Sequence, residues 1–111
     1  MGAWNGTSGY NDVRVTNCTA HHNQRSGLST YAAALYGLTN VYVGHCRFND
    51  NLGDSSLAQP TGNGVVLGEV DGGVIERVVA YNNGINSMPG QGPVGIWAYD
   101  SNNIVIQFCE S

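Results

Sequence analysis

The sequence contains no lysine. Its four basic residues are all arginine, Arg14, Arg25, Arg47 and Arg77, and charged residues make up only 11% of the 111 positions, against roughly 25% in ordinary globular domains. The formal net charge is −4, and no run of cations interrupts it. Such a balance excludes nucleic acid and anionic membrane surfaces as natural partners. Long apolar runs are also missing, and nothing approaches the ~20 residues that cross a bilayer. The first residues, Met1 to Gly6, have neither a basic start nor an apolar core, so no signal peptide is read in this segment. Three cysteines make an odd number and do not form a disulfide framework. The enrichment in Ala, Glu, Lys and Leu that marks long helices and coiled coils is lacking. A hydrophobic fraction of 41% is nevertheless too high for a disordered chain.

What the chain has in quantity is glycine, 16 residues, and asparagine, 13 residues. Both recur with a period. Val13–Asn23, Val41–Asn51 and Gly73–Asn83 align without gaps, and Ile104–Ser111 is a truncated fourth copy. One column is β-branched: Val15, Val43, Ile75 and Ile106. A second holds Cys18, Cys46, Val78 and Cys109. A third holds Ala20, Phe48, Ala80 and Ser111. A fourth is polar, with Asn23, Asn51 and Asn83. Within each copy apolar residues alternate with outward sites such as Arg14, Tyr42, Thr19, Arg47 and Glu110. This is the period of 2 that a strand requires. Each copy therefore reads as two short strands around a bend, at Gly44-His45 in the second copy. A further strand precedes each copy: Gly27–Tyr31, Gly64–Leu67 and Gly95–Tyr99. Gly2-Ala3-Trp4 matches Gly95-Ile96-Trp97 by letter. The best helical candidate, Tyr31–Tyr36, is too short to stand alone.

Three short strands per ~31 residues make one coil of a solenoid, and stacked coils bury together what one coil cannot bury alone. The expected fold is all-β, a parallel β-helix of about three and a half coils, at 1–26, 27–63, 64–94 and 95–111. Stacking ~4.8 Å apart turns the Asn and Cys columns into ladders along the axis. The chain starts and stops within coils and shows no cap over its end rungs, so it is expected to be a piece of a longer protein, with further coils as its neighbours.

The pattern resembles the right-handed parallel β-helix repeat proteins of the pectin-lyase-like superfamily. The resemblance rests on Gly95–Ile106 and Asn40–Asn51 and extends over nearly the whole chain. It implies a right-handed solenoid, long loops after the third strand of each coil, and substrate lying along a strand face beside them. The corresponding loops are Leu52–Asn63 and Gly84–Val94. It also implies a secreted or cell-surface setting and a polysaccharide partner.

If Ile96 and Ala98 face inward, Trp97 and Tyr99 face outward, and Trp4, Ser29, Tyr31 and Val66 share that face in other coils. Trp4, Trp97 and Tyr99 are the candidate substrate-binding residues, since such rings stack on sugar faces and keep a polar edge. The competing reading packs them under the long loops. Trp4 and Trp97, three coils apart, would span on the order of 14 Å. No catalytic residue is identified. Glu69, Asp71, Asp100, Asp50 and Asp54 are acids near turns, and none forms a tight cluster in sequence. Arg77 sits at a bend away from the aromatic face and is set aside. His21 and His45 fall at opposite ends of a short strand, so no metal site is expected, and no cofactor either. Cys18 and Cys46 fall on neighbouring coils, either as stacked thiols or as a disulfide. Gly90–Gly95 matches a dinucleotide-binding GxGxxG by letter, but no helix comes after it. Three functions fit: a polysaccharide lyase, hydrolase or epimerase, a non-catalytic glycan-binding or adhesive module, and a structural spacer. Fold alone does not choose among them.

Overall fold

The computed structural model describes residues 1–111 and contains no helix. Twelve strands wind into a β-solenoid of about three turns. The first coil carries β1 (Gly2–Ala3), β2 (Tyr10–Thr16) and β3 (Thr19–His21). The second carries β4 (Ser26–Ser29), β5 (Tyr31–Ala32), β6 (Leu38–Gly44) and β7 (Arg47–Asn49). The third carries β8 (Asn63–Gly68), β9 (Val70–Glu76) and β10 (Val79–Tyr81), and the fourth β11 (Ile96–Tyr99) and β12 (Asn102–Gln107). Every pairing is parallel, in the orders β11-β8-β4, β12-β9-β6-β2 and β10-β7-β3, with β1 on β5.

The register stacks like on like. Val15 lies against Val43 and Val43 against Ile75, and Ile75 pairs with Ile106. Ala20, Phe48 and Ala80 stack in the same way. Middle coils are covered on both sides, so Val43, Phe48, Val65, Leu67 and Ile75 are essentially inaccessible. Outer coils have a neighbour on one side only, which leaves the inward Ile106 45% exposed. Each coil opens with a glycine at the same level, Gly27, Gly64 or Gly95. A Cβ on Gly27 would lie 2.7 Å from the Gly64 carbonyl oxygen and equally close to the Phe48 ring.

Corners are turned by single residues in the left-handed region. Asp12, Asn40, Gly72 and Asn103 form one column of positive φ. Asn17, His45, Arg77 and Phe108 form a second, and His22, Asp50 and Asn82 a third. Glu69 and Asp100 form a fourth, in the later coils. Bend residues stay in the backbone ladder: the His45 N–H donates to the Glu76 carbonyl (3.2 Å), and the Arg77 N–H to that of Gln107 (3.3 Å).

Just past the third bend, side chains take over from backbone. The Asn51 amide nitrogen Nδ2 donates to Asn83 Oδ1 (2.9 Å), while Asn51 Oδ1 accepts from Asn23 Nδ2 (2.9 Å). The backbone N–H groups of Asn23 and Asn51 donate to the same oxygens. Asn51 is wholly buried, and a buried amide is tolerated only when satisfied in this way. The thiols repeat as well. Cys18, Cys46 and Cys109 are free, and each donates back across its bend to the carbonyl two residues earlier, at 3.2 Å. Cys46 is buried, whereas Cys18 lies on an outer coil and is exposed.

On the outer face, the Tyr42 hydroxyl donates to Glu76 Oε1 (2.7 Å) and Gln107 Nε2 donates to Oε2 (2.9 Å). The Tyr42 bond first, and then the Gln107 bond, hold the Glu76 carboxyl below its usual range.

Both kinds of ladder have measurable consequences. Asn51→Ala removes the central rung and leaves buried polar partners unpaired, at a cost of about 2–4 kcal/mol. Asn23→Ala, at the exposed end, costs under about 1 kcal/mol; denaturant melts of both variants check the contrast. Because Glu76 titrates lower in the folded state, its stabilisation is present above the ordinary glutamate value of about 4.3 and is lost as pH falls below it. Melting temperatures recorded down the acid limb should fall less steeply in Glu76→Gln than in the parent.

Candidate functional site

The first-strand face presents alternate residues outward. Ser29, Val66 and Trp97 share one level on β4, β8 and β11, and Gly68 and Tyr99 share another. Gly68 leaves the space that the Tyr99 ring fills, and a Cβ there would collide with it. The Trp97 and Tyr99 rings lie 5.5 Å apart at 37°. They form one wall of an open cleft of about 340 Å³, completed by Arg25, Ser26, Ser29, Val66, Asn63 and the loop residues Gln59 and Pro60. Trp97 and Tyr99 are half-buried, and the indole Nε1 is shielded with no hydrogen-bond partner. The long loop therefore flanks the rings and leaves them open to the cleft.

Trp4 reaches this face by a different register from that expected. Gly2 pairs with Tyr31, four positions beyond the Gly27 level that the Gly95-Ile96-Trp97 match implies. Trp4 falls past the end of its strand, and its ring turns back onto Tyr31, with centroids 4.7 Å apart. It remains 78% exposed. The face thus carries two aromatic pairs, Trp4–Tyr31 and Trp97–Tyr99, rather than one even row of three rings.

Carboxylates divide into two sets. Asp71 accepts from Asn103 (3.0 Å), and Asp54 is held by the Ser56 backbone and hydroxyl within its own loop. Asp50 is bound by Asn49 and Asn82 at the third bend. These three serve turns. Glu69 and Asp100 differ, because they occupy the same bend on neighbouring coils, immediately after Gly68 and Tyr99. Burial pushes the Tyr99 phenol above its usual range, and the charges of Glu69 and Asp100 push it further. Two carboxylates therefore follow the Gly68–Tyr99 level on adjacent coils, outside the lining of the cleft. The sequence contained the signal, since both come one residue after the first strand.

His21 lies next to His22, with Nδ1 atoms 2.6 Å apart, and His45 lies on the second bend. No three His, Cys, Asp or Glu side chains come together in a metal-holding group. A second open depression lies along that bend, lined by Asn17, Cys18, Thr19, His45, Cys46, Arg47, Arg77 and Val79. Sequence reading does not assemble it, because its cations come from positions about thirty residues apart that share a surface only once coils are stacked.

Comparison with protein-family models, with curated proteins and with solved structures gives no match.

The proximity of the acids to the cleft is directly measurable. Replacing Glu69 by Gln or Asp100 by Asn should each lower the Tyr99 titration toward the ordinary tyrosine value of about 10. The Tyr99 contribution is isolated by subtracting the ultraviolet phenolate curve of a Tyr99→Phe background.

Proposed function

We propose that this chain is a coil segment of a secreted polysaccharide-active protein of the pectin-lyase-like kind, and that its first-strand cleft receives a sugar chain. One observation carries the reading. The Trp97–Tyr99 pair lines an open cleft whose other walls offer Arg25, Ser29, Gln59 and Asn63. Aromatic rings bury the apolar faces of sugars, while amide, hydroxyl and guanidinium groups take up their hydroxyls and any acidic substituent. Trp4 and Tyr31 extend the same surface toward the first coil.

Catalysis on the bound glycan is favoured by a separate observation. Glu69 and Asp100 stand on adjacent coils beside the cleft, and paired carboxylates are what general acid–base cleavage of sugars uses. A lyase, hydrolase or epimerase would draw on this pair. Without turnover, the same surface is a glycan-binding or adhesive module.

A glycan array probed with the whole chain tests the proposal. Binding should appear and fall at least tenfold in Trp97→Ala, with an unchanged melting temperature. Absence of any glycan signal would leave the spacer reading. Products that vanish in both Glu69→Gln and Asp100→Asn, while binding persists, would establish the enzyme; binding without products would establish the module.

A further inference from the structure

The depression along the second bend has a chemistry unlike the aromatic cleft. It gathers His45, Arg47 and Arg77, three of the seven side chains in the sequence that can carry positive charge. No carboxylate lines it. The one ion pair of the molecule joins Arg14 to Asp12, elsewhere on the surface, so neither Arg47 nor Arg77 forms one. Glu76 lies close enough to feel Arg77 and His45, but its two oxygens already accept from Tyr42 and Gln107. Glu110 pairs in register with Val79, one coil further along the same column, and is not part of the lining. Asn17 and Thr19 add neutral hydrogen-bonding groups to the lining.

The stacked bends fix the backbone of Arg77. Asp12, Asn40, Gly72 and Asn103 turn the first bend, and His22, Asp50 and Asn82 the third. Glycine, Asn, Asp and His tolerate left-handed φ best. At the second bend Arg77 holds φ 51° because the column of bends imposes it, at a cost of about 1–2 kcal/mol. The Arg77 guanidinium lies over the Phe108 ring, 5.3 Å from its centroid. That contact orients the group without neutralising it.

The geometry points to an anion site: the second-bend depression binds a tetrahedral oxyanion, a phosphate or sulfate group, between Arg47 and Arg77 with His45 beside them. Planar guanidinium forks suit such oxygens. The acidic surroundings favour a single anionic group over a long polyanion, which would meet repulsion beyond the depression. This site is on a different face from the aromatic cleft and stands independently of the glycan reading.

Titration of the whole chain with inorganic phosphate, monitored by calorimetry at constant ionic strength in chloride, tests the assignment. Saturable binding is expected, with sulfate competing for the same site. Arg47→Gln and Arg77→Asn should each weaken it at least tenfold, and Arg14→Gln should leave it unchanged. Arg77→Asn should also melt no lower than the parent, since Asn accepts the left-handed bend more readily. Absence of saturable binding overturns the site, as does an equal loss in Arg14→Gln, which would indicate bulk charge. Survival of binding in both Arg47→Gln and Arg77→Asn overturns it as well.

Discussion

A parallel solenoid must turn its corners without breaking the hydrogen-bond ladder between coils, and that constraint governs the rest of this molecule. A single left-handed residue meets it. The bend residue swings the chain into the next face while its own N–H still donates to the coil alongside, as at His45 and Arg77. Once one coil bends at a given level, its neighbour must bend there too, or the ladder loses register. Bends therefore stack into columns and impose their conformation on whichever residue falls at that level. Phe108, with φ 53° and 74% exposure, has no local reason to adopt it. It does so because Arg77 above it is bonded to the Gln107 carbonyl.

The same coupling explains the low charge and the abundance of glycine and asparagine. Inward positions are shielded by the coils above and below, so they admit apolar residues and polar side chains whose hydrogen bonds are met, such as Thr30 on the Gly68 carbonyl or the stacked amides. Asn51 shows the second case: its side chain is both donor and acceptor, and so can propagate a ladder. An Asp there would present only acceptors to Asn83 Oδ1 and would break the chain of bonds. Glycine is needed where coils approach most closely, as at Gly27, and where a ring must be accommodated, as at Gly68.

The core was legible in the sequence because it obeys a short-range rule. Alternation at period 2, repeated about every thirty residues, aligned Val15 with Val43 and Ile75, and Cys18 with Cys46, in the register that the strands adopt. Trp4 was less legible. Gly2 and Ala3 form a strand of only two residues, too short for alternation to fix a register, and a local letter match misplaced it by four positions. Surface chemistry was legible only where it lay along one strand, as with Trp97 and Tyr99. The Glu69–Asp100 pair and the His45–Arg47–Arg77 group are assembled across coils. Their positions came from the repeat, but their significance depended on which neighbours were already occupied, and that requires side-chain contacts. Arg77 is the clearest case. Its place on the bend was read correctly, yet only the side-chain positions show that no carboxylate forms an ion pair with it.

The Asn ladder also determines where variation is admissible. From the second strand to the Asn, each residue is held in register by strand pairing and by the stacked bends; the five extra residues of coil 2 fall earlier, between the Ser29–Val66 and Leu38–Val70 levels. At Asn23, Asn51 and Asn83 the coils are pinned together by side chains, and the segment beyond each Asn can change length without disturbing the strands before it. Coil 1 passes from Asn23 to β4 in two residues, whereas coils 2 and 3 carry the long segments 52–62 and 84–95 before β8 and β11. Those two segments brace each other, with the Ser87 hydroxyl donating to the Thr61 carbonyl (2.5 Å) and the Asn86 N–H to the Leu52 carbonyl (2.7 Å). They return to the start of the first strand, so their residues come to rest beside the aromatic face, as Gln59 and Pro60 do. The ladder that stabilises the coil thus also fixes which face of the solenoid can acquire a built-up wall. A cleft arises on the first-strand face because it is the first surface the chain meets after the point where its longest segments are inserted.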